Sequence, residues 1–291
     1  MRIKGCNVIQ APGDADVIIV KTAVESANLY STAQIGEDTD LLILLLYHTT
    51  KQCKDLYFYS DSQSKDVKVY HINIIKSVLG EELSAQLLFA HAFTGCDTTS
   101  RIFSIGKKAV FQKLLKDSTL QSCANTFIST GQSQECIIET GKKAMAIIFG
   151  GNGDDSLGSI RYNLFRKKVV FAKSYVTLQR LPPTSSVTSC HSLRVYLQIM
   201  EWIGMENIMD PVKWGWKLEA NQLLPIMSTT RVAPENLLKM IHCNCTAACT
   251  TSRCSCRKYG LPCTSACGRC QLESCDNPNE VEFDNDVDND E

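Results

Sequence analysis

The chain has no apolar run long enough to cross a bilayer. Its longest purely aliphatic stretch, Leu41 to Leu46, falls far short of the roughly 20 residues a spanning helix needs. The N-terminal segment MRIKGCNVIQ lacks the apolar core of an export signal. Together these absences point to a soluble intracellular chain with no membrane partner, in a reducing compartment where cysteines stay thiols or hold metal. Charge of one sign is also missing locally. No acidic residue lies between Asp155 and Glu201, a stretch that holds Arg161, Arg166, Lys167, Lys168, Lys173, Arg180 and Arg194. Acids gather instead at the end, seven of them from Glu280 to Glu291, so the net charge of -1 conceals a basic stretch and an acidic tail. Such segregation fits a surface that meets phosphates or an ordinary solvated helix face. The polar loop Gly150 to Asp155 lacks the lysine of a P-loop, which argues against that mode of phosphate binding.

What the chain has in excess is cysteine, 15 in all. Six are scattered (Cys6, Cys53, Cys96, Cys123, Cys136 and Cys190) and read as small buried hydrophobes. The other nine fall within 33 residues: Cys243, Cys245, Cys249, Cys254, Cys256, Cys263, Cys267, Cys270 and Cys275. An odd count cannot close completely into internal disulfides. Metal arithmetic works better. Zinc takes four thiolates in a tetrahedron, so three zincs need twelve ligand positions, which nine cysteines supply if three of them bridge two ions each. Nine thiolates and three Zn(II) sum to a charge of -3, which Arg253, Arg257, Lys258 and Arg269 can offset.

These residues resemble the tesmin-type CXC domain. The likeness rests on the two Cys-x-Cys steps, on Lys258-Tyr259-Gly260-Leu261 and on the closing Cys275-Asp276-Asn277. It implies a three-zinc, nine-cysteine cluster, a DNA-binding module and a nuclear location, with Arg253, Arg257, Lys258 and Arg269 toward the nucleic acid. The family usually carries two such repeats and this chain carries one.

The front of the chain alternates. Asn7 to Ala11 reads as a short strand, and a helix follows from about Asp14 with Val17, Val20, Val24 and Ala27 at helical spacing. Ala33 to Gly36 is a second strand. Leu41 to Leu46 fits either a buried strand or a short helix. Leu56 to Tyr59 and Val67 to Ile72 read as strands, and Leu83, Leu87 and Ala90 mark a helix leading into Thr94-Gly95-Cys96-Asp97. This order favours an α/β fold with a largely parallel sheet. Asp14 with Asp16, and Asp38 with Asp40, lie where strands give way to helices, the edge on which open α/β folds place their sites. Any single Asp there is a good helix cap. As a set, the acids would repel one another unless Mg(II) or Mn(II) sat among them.

The pattern resembles the internal region of the flap-endonuclease branch of PIN-like nucleases. The resemblance is carried by Gln10 to Asp16, by Gly36-Glu37-Asp38-Thr39-Asp40-Leu41-Leu42, by Thr94-Gly95-Cys96-Asp97 and by Ile105-Gly106-Lys107-Lys108-Ala109, over roughly Asn7 to Leu115. It implies that Asp14, Asp16, Asp38, Asp40 and Asp97 are the catalytic metal-binding acids of a Mg-dependent 5′ flap-type nuclease. Lys107 and Lys108 would then open a helix onto duplex phosphate. The family has Glu where Asp14 and Asp16 stand, and Gly where Ser104 stands. Its N-terminal half, with a central strand and two further acids, has no counterpart here, which implies a truncated and inactive copy.

From Ser118 to Met240 the chain reads as mainly helical. Leu193, Tyr196, Leu197, Met200 and Ile203 form a core stripe, the tryptophans pack rather than stack bases, and Ala233-Pro234-Glu235 begins a short helix. The expected organisation is a partial PIN-like parallel sheet with helices over 1–117, a helical connecting region over 118–240, a CXC zinc cluster over 241–278 and an acidic disordered tail over 279–291. The expected function is that of a zinc-binding, DNA-binding protein with an inactive nuclease-like domain. An active structure-specific nuclease and a zinc-stabilised protein-interaction module are the alternatives.

Overall fold

The computed structural model describes residues 7–11, 13–60, 68–171, 178–205, 209–229, 243–246, 248–258, 261–263, 267, 270 and 275–277. The contacts divide the chain into two units: Met1–Ala172 with Val176–Thr229, and Lys173–Tyr175 with Thr230–Glu291.

The first unit is mixed α/β with a small sheet. Helix α1 (Asp16–Ala27) buries Val20, Ala23 and Ala27, which share one face at three- and four-residue spacing. Strand β1 (Thr32–Gly36) follows and leads to helix α2 (Thr39–His48). Asp38 caps α2 by accepting a hydrogen bond from the Asp40 amide at 2.9 Å, and this settles Leu41 to Leu46 as helix. Strands β2 (Leu56–Ser60) and β3 (Lys68–His71) complete a sheet of order β1-β2-β3.

The β1–β2 pair is parallel and the β2–β3 pair antiparallel, so the sheet is mixed rather than largely parallel. Chain length gives the reason: seven residues separate Ser60 from Lys68, and a parallel return needs a crossover of about a dozen. Asn7 to Ala11 is not a strand. Val8 and Ile9 are exposed, and the free edge of β1 has no strand beside it among the described residues.

Helix α3 (Ile72–Leu79) turns through Gly80, at φ +82°, into α4 (Glu81–Thr94). Helix α4 buries ten consecutive-turn side chains from Ser84 to Thr94, including Leu88, Phe89 and Phe93, and is the centre of the unit. Around it lie α5 (Lys107–Leu114), α6 (Ser118–Ile128), α7 (Gln134–Ile148), α8 (Leu157–Phe171) and α9 (Ser185–Trp202). One hydrophobic core runs from Val20 to Trp202, so the 1–117 and 118–229 segments share it. Gly141 on α7 permits the close approach of α9, since a Cβ there would lie 1.8 Å from the Ser192 hydroxyl.

Of the expected stripe on α9, Tyr196, Leu197 and Met200 are buried. Trp202 is buried as well, and Trp214 packs on Tyr196 with ring centroids 4.9 Å apart. A hairpin that sequence reading misses, β4 (Trp216–Glu219) with β5 (Gln222–Pro225), closes the unit. Arg194 braces it by donating to the carbonyls of Ile226 at 2.6 Å and Gly215 at 3.3 Å.

The second unit has a core of a different kind. Among the described residues it is made of cysteines alone: Cys243, Cys249, Cys254, Cys256, Cys263, Cys267 and Cys270 are buried, with Cys245 and Cys275 packed against them. The single helical turn Ser255–Lys258 is its regular element among those residues. The expected helix at Ala233-Pro234-Glu235 and the acidic tail lie outside the described residues.

Candidate metal centres

All nine clustered cysteines are free thiols. The sulfur of Cys243 lies 3.7 Å from Cys249, 3.8 Å from Cys263 and 3.7 Å from Cys270. Cys254 and Cys263 are 3.7 Å apart, and Cys256 and Cys267 3.5 Å. A disulfide would bring sulfurs to about 2.05 Å. A tetrahedron with metal–sulfur bonds of about 2.3 Å has edges of about 3.8 Å. Three sets of four sulfurs each lie within 4.8 Å of one another: Cys243, Cys249, Cys263, Cys270; Cys243, Cys254, Cys256, Cys263; and Cys243, Cys245, Cys249, Cys254. Cys243 belongs to all three sets, and Cys249, Cys254 and Cys263 to two each, so the sets overlap as alternatives for an ion rather than as three separate sites.

Burial opposes the ionisation of most of these thiols. Burial pushes the thiols of Cys243 and Cys263 up, Cys249 up to about 12 and Cys256 up to about 11. At Cys254 burial also opposes ionisation. There, hydrogen bonds from the Arg257 amide and from the Cys243 and Cys263 thiols outweigh it and bring the thiol down to about 7. So many buried thiols cannot ionise together without a cation among them, and a soft metal supplies one. The buried cysteine groups near residues 243–275 therefore fit a metal ion.

Among the cationic residues of this unit, Arg253 and Lys258 are exposed. Arg257 is committed within the protein, donating Nε–H to the Cys249 carbonyl at 2.8 Å and an Nη2 hydrogen to that of Asp276 at 3.0 Å. Arg269 lies outside the described residues.

The acids of the first unit converge as well. Carboxylate oxygens of Asp16, Asp38 and Asp40 lie within 4.8 Å of one another. Asp14 accepts a hydrogen bond from the Asp16 amide at 3.1 Å. The Asp16 carboxyl is pushed up to about 6, first by burial and then by the charges of Asp14, Asp38, Asp40 and Asp97. All five acids therefore act on one place, although Asp38 is at the same time a helix cap. Asp97 follows in the turn after α4. Gly95 adopts φ +117°, and a Cβ there would lie 2.7 Å from the Arg101 Cα, so both conformation and space require glycine.

Asp40 is buried, and its Oδ1 lies 2.5 Å from Nε2 of His91. The Lys107 ammonium lies 3.2 Å from that same nitrogen. Burial would raise the Asp40 carboxyl, but the hydrogen bond and charge of His91, then the charge of Lys107, hold it below the usual carboxylate value. Lys107 thus faces the acids at the start of α5, and Lys108 is exposed beside it. Ser104, in the preceding turn, has φ +59°, the left-handed region that glycine enters at little cost. Sequence reading misses His91. Its signal is a polar side chain in the otherwise apolar run Leu87 to Phe93. No protein family, curated protein or solved structure matches this chain.

Proposed function

We propose that the chain is a nucleic-acid-binding protein built on two metal centres: a three-zinc thiolate cluster of the tesmin CXC kind, and an aspartate site of the flap-endonuclease kind for Mg(II) or Mn(II). The observation that supports it best is the gathering of the clustered cysteines in one core, seven of them buried with neighbouring sulfurs 3.5 to 3.8 Å apart and Cys245 and Cys275 packed against them. Zinc would supply the positive charge that lets these thiols ionise, and its binding energy would be the folding energy of a unit with no aliphatic core among the described residues. Arg253 and Lys258 then project from a backbone held by metal and lose less freedom on meeting phosphate than they would on a flexible tail. DNA is the proposed partner, and a nuclear location goes with it.

The test begins with elemental analysis of reduced protein, expected to give close to three zincs per chain. Fluorescence anisotropy with duplex DNA should then show affinity that falls steeply with salt, because phosphate contacts release counterions. Arg253→Ala with Lys258→Ala should weaken binding and flatten the salt slope. Undetectable binding at low salt by the zinc-loaded chain would replace the nucleic-acid reading with a zinc-stabilised protein-interaction module.

A second reading, a divalent-metal-dependent phosphodiesterase, is favoured by the convergence of four other aspartates on Asp16. Two-metal chemistry asks carboxylates to hold ions about 4 Å apart. Here Asp14, Asp38 and Asp40 each commit one oxygen inside the protein, to the Asp16 amide, the Asp40 amide and His91. Cleavage of flap or nicked duplex with Mg(II) or Mn(II) is therefore expected to be slight. Robust cleavage that disappears in Asp38→Ala and Asp97→Ala would put this reading first.

A further inference from the structure

The segment that closes the thiol core is tied down by one residue. The Asn277 carbonyl accepts a hydrogen bond from the Cys263 amide at 2.7 Å. Its side-chain Nδ2 donates to the Leu261 carbonyl at 2.9 Å and lies 3.5 Å from the Cys263 sulfur. Its own backbone N–H donates to the Cys275 sulfur at 3.4 Å. Asn277 therefore aims two N–H donors at two different ligand sulfurs while pairing its backbone with the strand of chain that carries one of them. Arg257 reinforces the arrangement through the carbonyl of Asp276, the residue just before it.

A thiolate that accepts N–H bonds has its charge spread and its direction fixed, and losing a group that orients a metal ligand in this way typically costs about 10- to 100-fold in metal affinity. We infer that Asn277 is a positioning residue of the metal cluster: it orients Cys263 and Cys275 and stabilises both sulfurs in the ionised, metal-bound form. The inference rests on the thiolate-cluster reading above and adds a specific residue to it. Its chemical content lies in donation. Aspartate has the same shape as asparagine, but its carboxylate is an acceptor only. At this position it would keep both backbone contacts and set a negative oxygen against the Cys263 sulfur.

The experiment uses the full chain, reduced and zinc-loaded, competed against a chromophoric chelator. Asn277→Ala is expected to weaken retention of the affected zinc about 10- to 100-fold, in line with the loss of other ligand-orienting hydrogen bonds. Asn277→Asp should lose zinc at least as readily. With Co(II) in place of zinc, the sulfur-to-metal charge-transfer bands of both variants should shift from those of the parent. If Asn277→Ala fails to fold, the aspartate variant decides alone, because it preserves the shape. Parent-like retention and spectrum in Asn277→Asp would overturn the inference, leaving Asn277 as a space-filling residue. A parent chain that holds no zinc would instead sink the cluster reading itself, so the two failures are told apart.

Discussion

Asp16 lies against Asp38 and Asp40, and burial first, then the charges of Asp14, Asp38, Asp40 and Asp97, raise its carboxyl from 3.8 to about 6. Between those values the folded protein binds a proton that the unfolded chain has already released. Stability therefore falls as pH rises from 3.8 to 6, and the penalty is fully present above that window. Solvent reaches this half-buried group, so the penalty is of the order of 1 kcal/mol rather than the full value of the shift. Asp16→Asn is expected to raise Tm at pH 7.5 and to leave it nearly unchanged at pH 4, as followed by circular dichroism. Mg(II) should raise the Tm of the parent, because a ligand of the folded state stabilises it, and should do so less for the variant. An equal gain at both pH values would show that charge is not the cause. Repulsion of this kind, kept at one place by like-charged neighbours, is what a cation held among them would relieve.

At the scale of elements, legibility followed the number of local signals. The strands β1 and β2 are short runs of β-branched, aromatic or apolar residues bounded by turn formers, and sequence reading places both to within a residue or so. Periodicity leaves α2 open because Leu41 to Leu46 is apolar on every face; the deciding signal is Asp38, which sits where a cap belongs. The hairpin β4–β5 gives little warning. Its turn residues Ala220 and Asn221 take φ +48° and +63°, as a tight hairpin demands, but alanine is an unusual occupant of that region. The nine clustered cysteines are legible because their spacing alone carries the chemistry. The five aspartates stand out in the sequence as two pairs spaced two apart, each at a helix start, and a fifth just after Thr94-Gly95-Cys96. His91 is not, because its partner Asp40 lies 51 residues away and only the packing of α4 against α2 brings them together. Asn277 falls between these cases: its place in the closing motif is visible, while its bonds to two sulfurs need coordinates.

Across the whole first unit, the acid cluster depends on helices from both halves of the chain. Helix α9 reaches it from the far side: Thr98, next to Asp97, donates to the side chain of Gln198, and Nε2 of His48, at the end of α2, pairs with the Trp202 carbonyl at 2.9 Å. The Trp202 ring itself lies 5.9 Å from that of His91, which in turn holds Asp40. An indole in that position is also an optical probe. It is shielded from water, so its emission answers to the imidazole beside it more than to solvent. A cation that draws on the Asp40 carboxylate changes the hydrogen bond to His91, and the fluorescence of Trp202 should change with it. The chain has three tryptophans, so Trp214→Phe with Trp216→Phe would leave this one to be read alone. A Mg(II) titration of that variant should show a saturable change in emission that Asp40→Asn abolishes; no change in a chain whose Tm responds to Mg(II) would mean that the ion sits elsewhere among the acids. Where the saturable change is seen, Trp202 would report on a cation held among the acids.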